Sequence, residues 1–269
     1  MRSISITSGK GGVGKTTIVS HLALALADFN QRVLILDGDL GMSNIDICFG
    51  IKTKRSLFDV VNGEQLENCI TTVAKNVDIL SGGNGISELT KINAFQRRDI
   101  FDQIQKLQFK YDFLLVDNSP GLHDYVLHLN ATTDDIFLVL TNDPSSFADA
   151  YSLVKVLHSR YKKNEFKVIT NQVNKTDGTR LYARFCDVVE KFMSVRLNLL
   201  ESIPADDSLK KIQQRISMGQ NLSHGLSASI FRSLANSLII ENNLNQNKSI
   251  VTNQESGLVS LFRPVSGHA

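Results

Sequence analysis

Gly9-Lys10-Gly11-Gly12-Val13-Gly14-Lys15-Thr16-Thr17 is the stretch of this 269-residue chain that decides its fold. It follows the strand-like run Ile4–Ile6 and opens a helix, the context that a phosphate-binding loop requires. Glycines let the backbone turn tightly and leave its N–H groups open. Those donors and the helix N-terminus form a nest for phosphate oxygens. Lys15 sets a cation against the β- and γ-phosphates, and the Thr16 hydroxyl is placed to ligate Mg²⁺.

Working outward, short apolar runs alternate with longer amphipathic stretches. The runs Ile4–Ile6, Val33–Leu36, Val77–Leu80, Phe113–Val116, Ile136–Leu140, Val168–Thr170 and Leu197–Ile203 each read as a buried strand. Between them the spacing is helical, as at Leu153, Val154, Val156 and Leu157. A β-α repetition of this kind predicts an α/β fold. Its sheet is mostly parallel, with about seven or eight strands and helices on both faces. Residues 1–242 carry no long linker and are expected to form one domain. Residues 243–257, rich in Asn, Gln and Ser, read as a flexible polar linker. Residues 258–269 form a short tail with the apolar cluster Leu258, Val259, Leu261 and Phe262.

Composition narrows the function classes. A formal net charge of +2 gives no global basic field for nucleic acid. Local basic clusters exist at Lys52, Lys54 and Arg55 and at Lys210, Lys211 and Arg215, most of which the solvated-surface reading explains. Cys48, Cys69 and Cys186 lie far apart without a C-x-x-C pair, which gives zinc, iron–sulfur and disulfide readings no support. Met1–Ser8 lacks the basic region and apolar run of a signal peptide, and no apolar run approaches the ~20 residues of a membrane span. A cytoplasmic location is expected.

Two acidic strand ends complete the constellation. Asp37-Gly38-Asp39 follows Val33–Leu36, and Phe113-Leu114-Leu115-Val116-Asp117 is an apolar strand closing on a carboxylate. Carboxylates at the C-terminal edge of a parallel sheet lie beside the ligand crevice. Asp117 is in place to hold Mg²⁺ through a water. With Lys10 five residues before Lys15, the loop resembles that of the MinD/ParA family, the deviant Walker A ATPases of the P-loop NTPase fold. The resemblance covers about residues 2–240. It implies that ATP and Mg²⁺ are the ligands and that two copies dimerise around ATP. Lys10 would reach the partner's nucleotide, as an arginine finger does. Gly11, Gly12, Val13, Gly14, Lys15, Thr16 and Thr17 would cradle the phosphates. Asp39 would orient the attacking water and, with Thr16 and Asp117, make up the metal set, partly through water, and Asp37 would support the metal shell or the loop. Asn118-Ser119-Pro120-Gly121 is similar to switch II, with its movement centred on Gly121. Asn171 would read adenine, with Pro204 contributing from the next turn.

Within the family, three stretches resemble the flagellar-number-regulating MinD-like branch (FlhG/FleN). They are Asp37-Gly-Asp-Leu-Gly-Met-Ser-Asn-Ile-Asp46, Ser56-Leu-Phe-Asp-Val-Val-Asn-Gly-Glu64 and the run from Thr141 to Leu157. Switch II, as Asp117-Asn-Ser-Pro-Gly121, is nearer to the Asp-Ser-Pro-Ala-Gly of MinD. The branch implies regulation of flagellar number or placement through flagellar assembly or regulatory proteins. Leu258, Leu261 and Phe262, at i, i+3, i+4 spacing, are a candidate membrane-targeting element for an anionic surface, which would make the protein peripheral on the inner face of the cell membrane. The alternatives are a ParA-type positioning ATPase on DNA, a MinD-like division-site regulator and a non-enzymatic nucleotide-gated scaffold.

Overall fold

A computed structural model describes residues 1–38, 45–82, 102–103, 106–107, 109–207, 209 and 226–249. Its strands are β1 (Arg2–Thr7), β2 (Val33–Gly38), β3 (Ile70–Ala74), β4 (Val77–Ser81), β5 (Phe113–Asn118), β6 (Asp135–Leu140), β7 (Glu165–Asn171) and β8 (Arg196–Ile203). They form one sheet in the order β3-β4-β2-β5-β1-β6-β7-β8. Only β3 runs antiparallel among these strands; it pairs with β4 at the edge. All seven apolar runs are strands. The eighth, β3, reads Ile-Thr-Thr-Val-Ala and buries only Val73, so no apolar run announces it.

The helices are α1 (Lys15–Asp28), α2 (Ile45–Phe49), α3 (Leu57–Val61), α4 (Asp124–Thr132), α5 (Pro144–Tyr161), α6 (Lys175–Glu190) and α7 (Leu226–Ser249). On one face α1, α2 and α7 pack on Ile4, Ile6, Ile35, Leu115, Phe137 and Val139. On the other, α3 and α4 cover Leu34, Leu36, Leu114 and Val116, while α5 and α6 cover Leu138, Leu140, Phe166 and Val168. In α5, Leu153, Val154 and Leu157 are fully buried, as their spacing predicts, while Val156 is only partly buried. Gly178 of α6 sits so close to Thr170 and Ser202 that a Cβ there would collide with both hydroxyls.

The central strand departs from the expected apolar run. Ser3, Ser5 and Thr7 alternate with Ile4 and Ile6, yet none of the three is exposed. A strand buried on both faces normally carries apolar residues on both, so these hydroxyls need partners. Ser3 donates to Asp134 (2.7 Å). Ser5 donates to Asn130 of α4 (2.5 Å) and accepts from Asn118 of β5 (2.8 Å). Asn130 in turn donates to Thr7 (3.2 Å) and to the Val126 carbonyl (2.7 Å). A buried hydrogen-bonded row thus replaces apolar packing under the strand that carries the loop.

The opposite end of the sheet holds an ion network. Arg2, 6% exposed, donates to Asp135 (2.6 Å) and to Glu241 of α7 (2.7 Å), and Lys167 bridges the same two carboxylates (3.1 and 2.7 Å). These contacts pin α7 to β1, β6 and β7. Helix α7 continues to Ser249, so residues 243–249 of the expected linker are helical. Once a helix is anchored, each further residue adds one hydrogen bond for one residue fixed, and Asn costs at most about 0.7 kcal/mol there. Residues 250–257 of that segment, and the tail 258–269, lie outside the described residues. Burial alone would raise the Glu241 pKa, but hydrogen bonds from Lys167 and Arg2 hold it below its ordinary 4.5. Its contribution to stability is therefore complete above pH 4.5 and lost as pH falls through the lowered folded value. Glu241→Gln should melt below wild type at pH 7, with the gap closing in acid. A gap unchanged between pH 7 and pH 3, followed by circular dichroism, would contradict this.

Candidate active site

The loop after β1 closes on α1, with Gly12 (φ 77°) and Gly14 (φ 93°) in the left-handed region. Gly14 caps α1, and a Cβ on it would also collide with the Asn171 amide. Two independent demands, conformation and space, fix glycine at that position. Lys15 is 7% exposed and donates from Nζ to Ser8 (2.9 Å), whose own hydroxyl donates to the Lys10 carbonyl (2.6 Å). Thr16 and Thr17 follow in the first turn of α1, half-buried.

Strand register levels the carboxylates. Asp37 lies opposite Asp117 across β2 and β5, and Asp117 lies opposite Ile6 in β1. By strand alternation both carboxylates share the α1 face with Ile35 and Leu115. They are 1% and 4% exposed, at the C-terminal ends of their strands. A polar nest, a buried ammonium and two level buried carboxylates fit a polyphosphate with a divalent cation; Thr16 and Asp117 would hold the metal. Asp39 lies outside the described residues, as do Lys210, Lys211 and Arg215 and the tail residues Leu258, Leu261 and Phe262.

Switch II divides in two. Asn118 ends β5, 2% exposed, and donates to Ser5 and to the Ile6 carbonyl (3.2 Å). Ser119 donates to the Gly38 carbonyl (3.2 Å), Pro120 lies against Gly11, and the Gly121 amide faces the Ser8 carbonyl (3.4 Å). Gly121 has φ 105°, so the chain turns there. Asn118 is thus a strand residue, and the residues past it touch both the loop and β2.

At the other side, Asn171 ends β7 level with Ile203, the last residue of β8, and Pro204 follows. Asn171 and Pro204 therefore lie at adjacent strand ends. The Asn171 side chain is turned toward the loop, donating to the Val13 carbonyl (2.7 Å). A cleft of about 340 Å³ is lined by Lys10, Gly11–Val13, Asn142, Asp143 and Gln172. Gln172 adopts φ 61°, uncommon for a side-chain-bearing residue.

Lys10 and Lys15 part company here. Lys15 points into the nest, whereas Lys10, 42% exposed, pairs with Asp143 and donates to Ser145 (2.7 Å) at the start of α5. Asp143 also caps α5 through the Ser145 amide (3.2 Å). Asp143-Pro144 is legible as a helix start. Its pairing with a lysine 133 residues away is not.

Comparisons with known proteins agree with this geometry. An AAA domain family model matches residues 1–184. The antiactivator FleN of Pseudomonas aeruginosa is 33% identical over 214 residues, 79% of this chain and 76% of that one. The flagellum site-determining protein YlxH of Helicobacter pylori is 30% identical over 211 residues, 77% of this chain and 71% of that one. Among solved structures, the septum site-determining protein MinD complexed with Mg-ADP from Pyrococcus horikoshii superposes with a TM-score of 0.66. It is 26% identical, and the match covers 88% of this chain and 95% of that one. A sheet ordered around β1, a loop with two lysines and these relatives together place the chain in the MinD/ParA family of deviant Walker A P-loop ATPases, with its flagellar MinD-like branch.

Proposed function

We propose that the protein binds ATP with Mg²⁺, dimerises around it and hydrolyses it slowly to ADP and phosphate, so that the dimer is a timed signal to partners. The observation that carries this reading is the divergence of the two loop lysines. Lys15 is buried and bonded to Ser8 of its own loop, while Lys10 lines the cleft half-exposed, open to a second copy. A cation delivered across an interface stabilises charge on the transferring phosphoryl group. Within one chain, Lys15 neutralises the β- and γ-phosphates, Asp39 orients the attacking water and Asn171 leaves the Val13 carbonyl to meet adenine beside Pro204. Thr16 and Asp117 would hold the metal, which would supply charge neutralisation on the phosphates.

The flagellar names of the two relatives support a role in setting flagellar number or placement through flagellar assembly or regulatory proteins. Among the described residues no helix is long and apolar enough to cross a membrane. Contact with an anionic inner membrane surface is assigned to Leu258, Leu261 and Phe262 of the tail, presented in pairs by the dimer.

Asp39→Ala should keep ATP binding and accumulate as a dimer, because assembly survives while hydrolysis does not. Light scattering with saturating ATP and Mg²⁺ reads the mass directly, and a monomeric variant would end the switch reading. Co-sedimentation with anionic vesicles, with ATP and with ADP, then tests the surface. Binding to plasmid DNA instead would move the assignment to a ParA-type positioning role.

A further inference from the structure

We propose that His21 is a positioning residue for the adenine end of the nucleotide: from the second turn of α1 it holds the loop that begins at Pro204. This rests on the nucleotide-binding reading above, which sets Asn171 and Pro204 at the base. The His21 side chain is fully buried, and its Nε2 lies 3.0 Å from the Leu209 carbonyl, five residues past Pro204. A carbonyl only accepts, so Nε2 carries the proton. The Leu209 amide donates to the Asp206 carbonyl (3.1 Å), and the Asp206 carboxylate accepts from the Ser227 hydroxyl of α7 (2.7 Å). The imidazole also stacks on Phe231 of α7, with ring centroids 5.2 Å apart and planes inclined by 23°.

The buried face of α1 around His21 is otherwise apolar, with Ile18, Val19, Leu22, Ala25 and Leu26 packed into the core. Helix packing alone needs no imidazole there, and a buried polar side chain costs stability unless it is hydrogen-bonded. The bond made by Nε2 goes to the segment after β8, not to α1 itself. That segment is thus held at both ends. Its start is tied where the Val173 amide, two residues past Asn171, donates to the Ile203 carbonyl (3.1 Å), and its end is tied by His21. The same helix carries Lys15 and Thr16 in its first turn. Helix α1 therefore sets the phosphate end of the site directly and the base end through His21. A nucleotide has a fixed covalent span between its phosphates and its base. Holding both subsites on one helix pre-organises that span and spares ordering cost on binding.

Ring packing and loop holding can be separated. His21→Phe keeps an aromatic ring against Phe231 and loses the donor; His21→Gln keeps an N–H donor of similar reach. The probes are ATP with Mg²⁺ and inorganic tripolyphosphate with Mg²⁺, which offers the phosphates without a base. Wild type should bind ATP the more tightly. In titration calorimetry His21→Phe should weaken ATP by about two- to tenfold, the range of one lost hydrogen bond, and leave tripolyphosphate unchanged. His21→Gln should stay within about twofold of wild type for both ligands. An equal loss for both ligands in His21→Phe would show that the ring only supports the fold. Unchanged ATP binding in that variant would also overturn the proposal. If wild type itself binds the two ligands alike, the base site is wrongly placed and this proposal falls with it. A variant that does not fold leaves the wild type to decide. Its His21 Nε2–H proton resonance should shift when ATP binds and stay in place when tripolyphosphate binds, and the same shift with both ligands overturns the positioning role.

Discussion

Lys15→Ala is expected to weaken ATP binding by at least about 100-fold while leaving the fold intact. The lysine is 7% exposed, and its ammonium donates to the Ser8 hydroxyl at 2.9 Å. Ser8 retains its bond to the Lys10 carbonyl (2.6 Å) when the lysine goes, so the loop keeps a brace. The loss falls on the ligand. A buried ammonium on two phosphate oxygens makes charge-assisted bonds worth roughly 1.5–3 kcal/mol each. Together they come to about 3–6 kcal/mol, or some two to four orders of magnitude in Kd. Titration calorimetry with ATP and Mg²⁺ measures it. Retained tight binding would mean that the phosphate site has been assigned to the wrong loop. A loss of binding accompanied by a fall in melting temperature of many degrees would mean that Lys15 mainly supports the fold.

Asn130→Ala is the largest stability effect expected from a single polar truncation. Asn130 is fully buried in α4 and satisfies three groups: it accepts from Ser5 (2.5 Å) and donates to Thr7 (3.2 Å) and to Val126 (2.7 Å). Alanine takes the acceptor from the Ser5 hydroxyl and a donor from the Thr7 hydroxyl under the central strand and leaves a gap, at a cost of about 2–4 kcal/mol. Urea unfolding gives the number, and a loss below about 1 kcal/mol would show that the row is not structural. Because Asn118 leans on the same Ser5 hydroxyl (2.8 Å), Ser5→Ala and Asn130→Ala should be non-additive. Residues sharing one network are lost together. The row also links the base of switch II to α4 and to the strand that carries the loop, so a stable switch needs it intact.

What was legible in the sequence is what a short stretch decides by itself. Gly9–Thr17 needed only its own glycines, lysines and neighbouring strand to declare a phosphate nest, since turn conformation and backbone donors are local properties. Apolar runs such as Phe113–Val116 announced buried strands because a parallel sheet covered on both faces demands them. Asp117 was readable as a strand-end carboxylate for the same reason. Legibility failed where a neighbour remote in sequence sets the meaning. β3 is half-exposed at an edge, so it has no apolar run to show. Ser3, Ser5 and Thr7 look like the wet side of a strand, and only Asn130, Asn118 and Asp134, more than 100 residues on, make them interior. Glu241 turned residues past 242 from expected linker into helix through contacts with Arg2 and Lys167.

Lys10 shows the boundary most plainly. Its place in the loop follows from the sequence, which distinguishes it from Lys15 by spacing alone. Its direction does not. That was decided by α5 arriving beside the loop with Asp143 and Ser145 at its first turn, a meeting of segments 133 and 135 residues apart. Local sequence fixes which groups a chain can offer; only tertiary packing settles which of them face each other, because Coulomb attraction and hydrogen bonds act over a few ångströms of space and not along the chain.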